Sequence, residues 1–264
     1  MSCPIHSFDV SFKEAKQIQS ELCALVKLTD TVSLRDDVDL VGGADVAFIT
    51  QVPGTSRKYT DGIKGSSESH TPEHIGKTSD ITALAVVVTY DIKRCCVEET
   101  AYAAAPVVFP YVPGYLSFRE GPAILAALGK LNMLPGVMLY DGCGIAHPRG
   151  FGLASHMAAL SGIPSVGCAK SRLCGICSMP GSEKGSWTYI ICHDRPVGTC
   201  LRTRDNVKPV YVSPGSGFSI DSARELVLSL AGKYRLPEPT RLAHNLVTEK
   251  KKLYKKSELR SQNN

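Results

Sequence analysis

The spacing of apolar residues divides this chain into elements before any single residue is weighed. In "SFKEAKQIQSELCALVKL" the apolar positions Phe12, Ala15, Ile18, Leu22, Leu25 and Val26 fall three or four apart, the period of a helix with one buried face. "DLVGGADVAFIT" reads as a strand, apolar on both sides of Asp45. "ITALAVVVTYD" and "CCVEETAYAAA" read as two more strands, joined as a hairpin through "DIKR". "SFREGPAILAALGKL" is the next helix, and "GVMLYDG" is a continuous apolar strand of the kind buried on both faces. A helix in "GFGLASHMAALSG" and a short buried strand in "IPSVGCAK" come after it. A hairpin in "GSWTYIICHDRPVGTCLRTR", a strand in "PVYVSPG" and a helix in "IDSARELVLSLAGKY" complete the pattern. Antiparallel strands first, then helices alternating with strands, predict an α/β protein built on one mixed sheet flanked by helices. With no repeat and no interdomain linker, residues 1–246 are expected to form one domain, with a polar insertion at about 53–79. Residues 247–264 read as a basic, disordered tail.

Composition changes this picture little. Hydrophobic residues at 43% and charged residues at 21% are ordinary for a soluble globular chain. No apolar run approaches the roughly 20 residues of a membrane span, so no membrane partner is expected. "MSCPIHSFDVSFKEAK" lacks the basic start and apolar core of an export signal. The ten cysteines are therefore read as reduced thiols of an intracellular monomer in the cytoplasm, nucleus or nucleolus. The formal charge is +5, but the segment from Glu249 onward carries six basic and two acidic residues, leaving only +1 for residues 1–248. Any polyanion must then be met by a local patch rather than by the body as a whole.

Four charged residues stand out by position. Asp45 lies inside an apolar strand, where an unpaired carboxylate is costly, so it needs a cation or a basic partner. Asp141 ends the strand "GVMLY", and strand carboxyl ends are where open α/β sheets gather ligands, although Asp-Gly is also an ordinary turn. Glu120 closes "SFRE", which matches a capping box with Ser117 as N-cap. Lys170 follows the strand "PSVGCA" and, taken singly, is a surface lysine. Together they have a chemical meaning: three carboxylates suit Mg²⁺ or Mn²⁺, and a nearby lysine suits a phosphate oxygen. That combination points to metal-assisted phosphodiester hydrolysis.

"GADVAF", "PYVPGYLSFREGPAILAAL", "DGCGIAHPRGFGLASH", "PSVGCAKSRLCG", "LRTRDNVKPVYVSPG" and "YRLPEPTRLA" occur in order, and in these strings the chain resembles the endonuclease V family from about Phe8 to Ala243. The resemblance implies a ribonuclease-H-like mixed sheet and Mg²⁺-dependent cleavage of inosine-containing RNA or deoxyinosine-containing DNA. The bond cut would be the second phosphodiester on the 3′ side of the lesion, leaving a 3′-hydroxyl and a 5′-phosphate. Asp45, Glu120 and Asp141 would hold metal and Lys170 would assist at the phosphate; His147, held by Pro148 and close to Asp141, is separately read as a candidate for positioning a phosphate or a metal-bound water. Pro110, Tyr111, Val112 and Pro113 match the family's wedge, in which a tyrosine separates strands beside the lesion. Gly114, Gly142, Gly144 and Gly150 would line the lesion pocket or bring backbone close to it.

Two positions depart from the family pattern. Ser216 stands where a histidine usually follows "SPG", which raises the alternative of a weakly active or non-catalytic inosine-binding protein, or of compensation by Asp221 or His147. Cys143 replaces a polar side chain and reads as a small hydrophobe rather than a catalytic thiol. "CGIC" at Cys174–Cys177 has metal or redox spacing, but it lacks a second spaced pair and a strand-to-helix turn. His156 falls on a predicted helix and reads as structural.

Overall fold

The structure, a computed structural model, describes residues 6–33, 38–50 and 81–262, and the expected polar insertion at 53–79 lies outside them. Strands β1 (Leu40–Thr50), β2 (Ile81–Asp91) and β3 (Cys96–Pro106) form an antiparallel meander. Helix α2 (Leu116–Leu128), strand β4 (Val137–Tyr140), helix α3 (Leu153–Ser161) and strand β5 (Ser165–Ala169) follow as the alternating half. β6 (Trp187–Cys192), β7 (Arg195–Leu201) and β8 (Val210–Ser216) close an eight-stranded sheet in the order β3-β2-β1-β4-β5-β8-β7-β6. β1, β4 and β5 run parallel and the other pairings are antiparallel, so the mixed sheet expected from the pattern is what forms.

The period-two alternation of β2 decides which helices cover which face. Ala83, Ala85 and Val87 meet Ala123, Ile124 and Ala127 of α2 together with Met157 of α3. Val86 and Val88 point the other way, against Ala243 and Val247 of the last helix, α5 (Glu238–Gln262). Beside α5, helix α4 (Ile220–Ser229) buries Ala223, Leu226 and Val227 against Val41, Leu139 and Val212. Helix α1 (Phe12–Cys23) is started by a true capping box, with Ser11 Oγ accepting from the Glu14 amide and the Glu14 carboxylate accepting from the Ser11 amide.

Two expectations change. The "SFRE" capping box does not form: α2 starts after Tyr115 with no side-chain cap, Ser117 turns inward, and Glu120 is released for other work. The basic tail does not begin at 247 either, because α5 runs through that boundary and Val247 is buried. The helix was hidden by its charge run, yet Pro239 in its first turn and Leu242, Ala243, Leu246 and Val247 at helical spacing were its signals.

α5 lies close to β1 because Gly43 has no side chain: a Cβ there would fall 2.2 Å from the Pro239 carbonyl carbon and 2.3 Å from its oxygen. Backbone cannot rotate away as a side chain can. On the opposite face His156 is fully buried, with Nδ1 2.8 Å from Ser117 Oγ and Nε2 2.7 Å from His6 Nε2. Burial first, and the neighbouring His6 second, push its pKa down to about 3. An unfolded histidine titrates near about 6.5, so below that pH the unfolded chain takes up a proton that the folded chain refuses. This contribution to stability is full above about pH 6.5 and is lost as the pH falls toward 3.

Gly43→Ala should destabilise the protein by about 1–3 kcal/mol through overpacking, read as a lowered urea midpoint; an unchanged midpoint would show that α5 has room to retreat. His156→Asn should be less stable at pH 7 but lose less stability than the parent between pH 6.5 and 4. Parallel pH profiles for the two proteins would contradict the buried neutral imidazole.

Candidate active site

Three neighbouring parallel strands each deliver one charged group, β1 from its middle and β4 and β5 from just beyond their carboxyl ends. Ala44 of β1 sits opposite Tyr140 of β4, so the next residues, Asp45 and Asp141, are neighbours across that register. Tyr140 in turn sits opposite Gly167 of β5, and Lys170 leaves the end of that strand. Glu120 reaches the same place from α2. These four side chains line a cavity of about 370 Å³, with Tyr111, Val112, Pro113 and Gly114 along its wall.

The carboxylates are close enough to disturb one another. Burial raises the Asp45 pKa, the His244 hydrogen bond lowers it, and the Asp141 charge raises it again. Glu120 is raised well above the usual carboxylate range by burial and then by Asp45 and Asp141, with Arg119 opposing. Lys170 forms an ion pair with Asp141 Oδ2. Among the described residues no three acidic, histidine or cysteine side chains already stand closed around one point as a ligand set. The amine on Asp141 meanwhile occupies one of the carboxylates that a cation would use.

His244 is the site residue that sequence reasoning missed. Its Nδ1–H donates to Asp45 Oδ2 at 2.7 Å, bringing an imidazole from α5 into the acidic cluster. It stands one residue beyond the last recognised string, "YRLPEPTRLA", in a segment whose helix was not expected.

His147 has a different task from the one expected. Its Nε2–H donates to the Gly114 carbonyl at 3.0 Å and its Nδ1 accepts from the Arg149 amide at 3.2 Å. Burial, then Arg149, hold its pKa down at about 4, so the imidazole is neutral and both nitrogens serve backbone. It shapes the wall of the cavity and keeps no free nitrogen for a phosphate or a metal. The same Gly114 oxygen accepts from Gln19 Nε2 at 3.0 Å and Arg149 Nη2 at 2.6 Å, while Arg149 Nε donates to Gln19 Oε1 at 2.6 Å. One carbonyl thus ties the Pro110–Gly114 loop to α1 and to the "HPRGFG" turn. Behind that loop, Arg119 donates to the Phe109 carbonyl at 2.8 Å and lies 5.9 Å from the Tyr111 ring centroid. Tyr111 itself is 73% exposed.

The remaining expected residues separate. Gly114 and Gly142 line the cavity, whereas Pro110, Gly144 and Gly150 do not. Gly144 is needed for packing: a Cβ there would fall 2.0 Å from the Pro214 oxygen. Gly150 closes the turn by donating its amide to the His147 carbonyl at 2.8 Å. Cys143 lines the cavity with its thiol pushed up to about 11 by burial and then by Asp141, so it is neutral. Ser216 lies elsewhere, with its Oγ accepting from the Lys27 amide at 3.0 Å. Asp221 pairs with Arg224. Serine at 216 therefore removes no imidazole from the acidic cluster, and His244 supplies one from another element.

With this geometry in place, the family strings gain independent support. A family model described as Endonuclease V matches residues 72–245. An endonuclease V of Methanothrix thermoacetophila is 42% identical over 242 residues, covering 92% of this chain and 93% of the relative. The crystal structure of an endonuclease V from Streptomyces avermitilis superposes with a TM-score of 0.77 at 34% identity, over 97% of this chain and 100% of that one. The Ciona intestinalis endonuclease V, solved with a 24mer DNA containing an inosine followed by a ribo-adenosine, superposes with a TM-score of 0.70 at 25% identity, over 92% and 98% of the chains. This chain belongs to the endonuclease V family, endonucleases that hydrolyse phosphodiester bonds.

Proposed function

We propose that this protein cleaves nucleic acid containing inosine or deoxyinosine, at the second phosphodiester bond on the 3′ side of the lesion, leaving a 3′-hydroxyl and a 5′-phosphate. The observation that carries the reading is the convergence of Asp45, Glu120, Asp141 and Lys170 in one cavity walled by the Tyr111 loop. The inosine-bearing DNA held by the Ciona relative supports the substrate class.

The donor set fits a hard divalent cation. Asp45 and Glu120 carry raised pKa values because burial strips water from them and neighbouring carboxylates then add to the cost of ionising, which is the arrangement a cation relieves. Asp45, Glu120 and Asp141 would hold Mg²⁺ or Mn²⁺, and when bound the ion supplies Lewis acidity at the phosphate and lowers the pKa of water. His244 fixes the orientation of Asp45 and can hold a proton beside it. Lys170, released from Asp141, would meet a phosphate oxygen. Tyr111, carried on a loop stiffened by Pro110 and Pro113 and backed by Arg119, offers a ring to a base stack. The neutral Cys143 thiol and the backbone at Gly114 and Gly142 form the wall against which an extruded base would rest.

Cleavage of an inosine oligonucleotide should require Mg²⁺ and stop with EDTA, and running RNA beside DNA reports the preferred sugar. Asp141→Asn should lower single-turnover cleavage by at least about a hundredfold, since such contacts supply several kcal/mol, while inosine binding persists. Full Mg²⁺-dependent activity in that variant would sink the assignment. Glu120→Gln should also abolish cleavage, yet raise the melting temperature of the metal-free protein at pH 7. Neutralising the crowded acid should yield about 2–4 °C for each kcal/mol of repulsion relieved. A lower melting temperature would mean that Glu120 is not under electrostatic strain.

A further inference from the structure

The basic C-terminal segment is part of a helix anchored at the active site, and this gives its charge a direction. α5 is held against the sheet by buried Ala243 and Val247, and its His244 touches Asp45. Further along, Lys250 lies with its ammonium 4.6 Å from the centre of the Tyr102 ring on β3, the edge strand. The helix therefore starts over β1 beside the acids, crosses β2, reaches the sheet edge at β3 and continues to Gln262.

At about 100° per residue, position 251 returns to within about 20° of position 244, with positions 248 and 252 about 40° and 80° round on the other side and position 249 about 140° away. Lys251 thus follows His244 along one stripe, and exposed Lys252 stands on the solvent side of Thr248, about 100° round from Lys251. Glu249 lies about 160° from Lys251 and about 60° from Lys252, and its charge is felt by Tyr102. At about 1.5 Å per residue, Lys251 and Lys252 stand roughly 10–12 Å from His244 along the axis. On a strand stacked as in a duplex, with phosphates about 3.4 Å apart along the axis, this distance spans about three nucleotides.

Charge makes the match specific. The cavity is lined by three carboxylates and its lysine is paired with one of them, so the metal-free site does not attract a phosphate chain. Residues 1–248 carry a net of only +1, whereas the six basic residues beyond Glu249 concentrate the positive charge on this one element. We infer that the Thr248–Lys251–Lys252 face of α5 seats the phosphate backbone of the substrate strand on one side of the cleavage site. Contact begins about three nucleotides out. The inference rests on the proposed function, and names where that substrate lies on the protein.

Nested single-stranded inosine oligonucleotides, lengthened one nucleotide at a time on either side of the inosine, test it with the full-length protein. Binding is read by fluorescence anisotropy in EDTA between 50 and 200 mM KCl. The parent should gain affinity once the flank on one side reaches three or four nucleotides. Lys251→Ala/Lys252→Ala should lose that gain, and its salt slope should fall by about 1.4 for two lost phosphate contacts on a single strand. Its Mg²⁺-dependent cleavage of the shortest substrate should match the parent, which also reports intact folding. A double variant with the parent's length dependence and salt slope overturns the inference. So does unchanged nucleic-acid binding accompanied by lost binding to phosphatidylserine vesicles, which assigns the helix to a membrane surface. If instead the parent binds and cleaves adenosine and inosine oligonucleotides alike, the proposed substrate fails, irrespective of the lysines.

Discussion

Three carboxylates crowded into one half-buried cavity form the constraint around which this molecule is arranged. Asp45 and Asp141 are fixed side by side by the parallel register of β1 and β4, and Glu120 reaches them from a helix on one face of the sheet. Water cannot screen them well there, and Asp141 raises the cost of ionising Asp45 and, together with Asp45, that of Glu120. The neighbouring groups answer that cost. Lys170 pairs with Asp141, His244 donates to Asp45, and Arg119 opposes the charge on Glu120. Each partner comes from a different element, so the sheet and both helical layers must dock before the acids can be held together.

A second constraint, centred on one backbone carbonyl, governs the wall opposite the acids. The Gly114 carbonyl accepts from Gln19, His147 and Arg149 at once, so the proline-flanked loop has one position rather than a range of them. The division is physically sensible. Groups that meet a phosphate or a metal need charge and some freedom to exchange partners, whereas a wall for a flat base needs rigidity and neutrality. His147 belongs to the second class, and its depressed pKa reflects burial among backbone partners.

Much of the fold was legible because its signals are periodic. The apolar runs of β2, β4 and β5 and the stripes of α2 and α3 each mark an element whose burial follows from the pattern. Asp45 was legible for the opposite reason, as a charge where the pattern demands an apolar residue. What could not be read were contacts between distant segments. Nothing local distinguishes the Ser117–Glu120 spacing of a capping box from the same spacing with Ser117 turned toward His156 and Glu120 toward the acids. The "HPRG" imidazole suggested catalysis, and only the position of Gly114 shows it to be structural. His244 was obscured by the charge that follows it, which lowered the apparent helical character of the whole segment. Ser216 suggested a missing imidazole because a motif position was compared without knowing which strand end it occupied.

The contact between His244 and Asp45 also orders events in time. A chain growing from its N-terminus has Asp45, Glu120 and Asp141 well before it has residue 244, and α5, which packs against β1 and β2, is made after all eight strands. The acids therefore spend most of synthesis without the imidazole that orients one of them. For an endonuclease, made on a machine built largely of RNA, this order keeps the imidazole–carboxylate contact from forming until α5 has emerged.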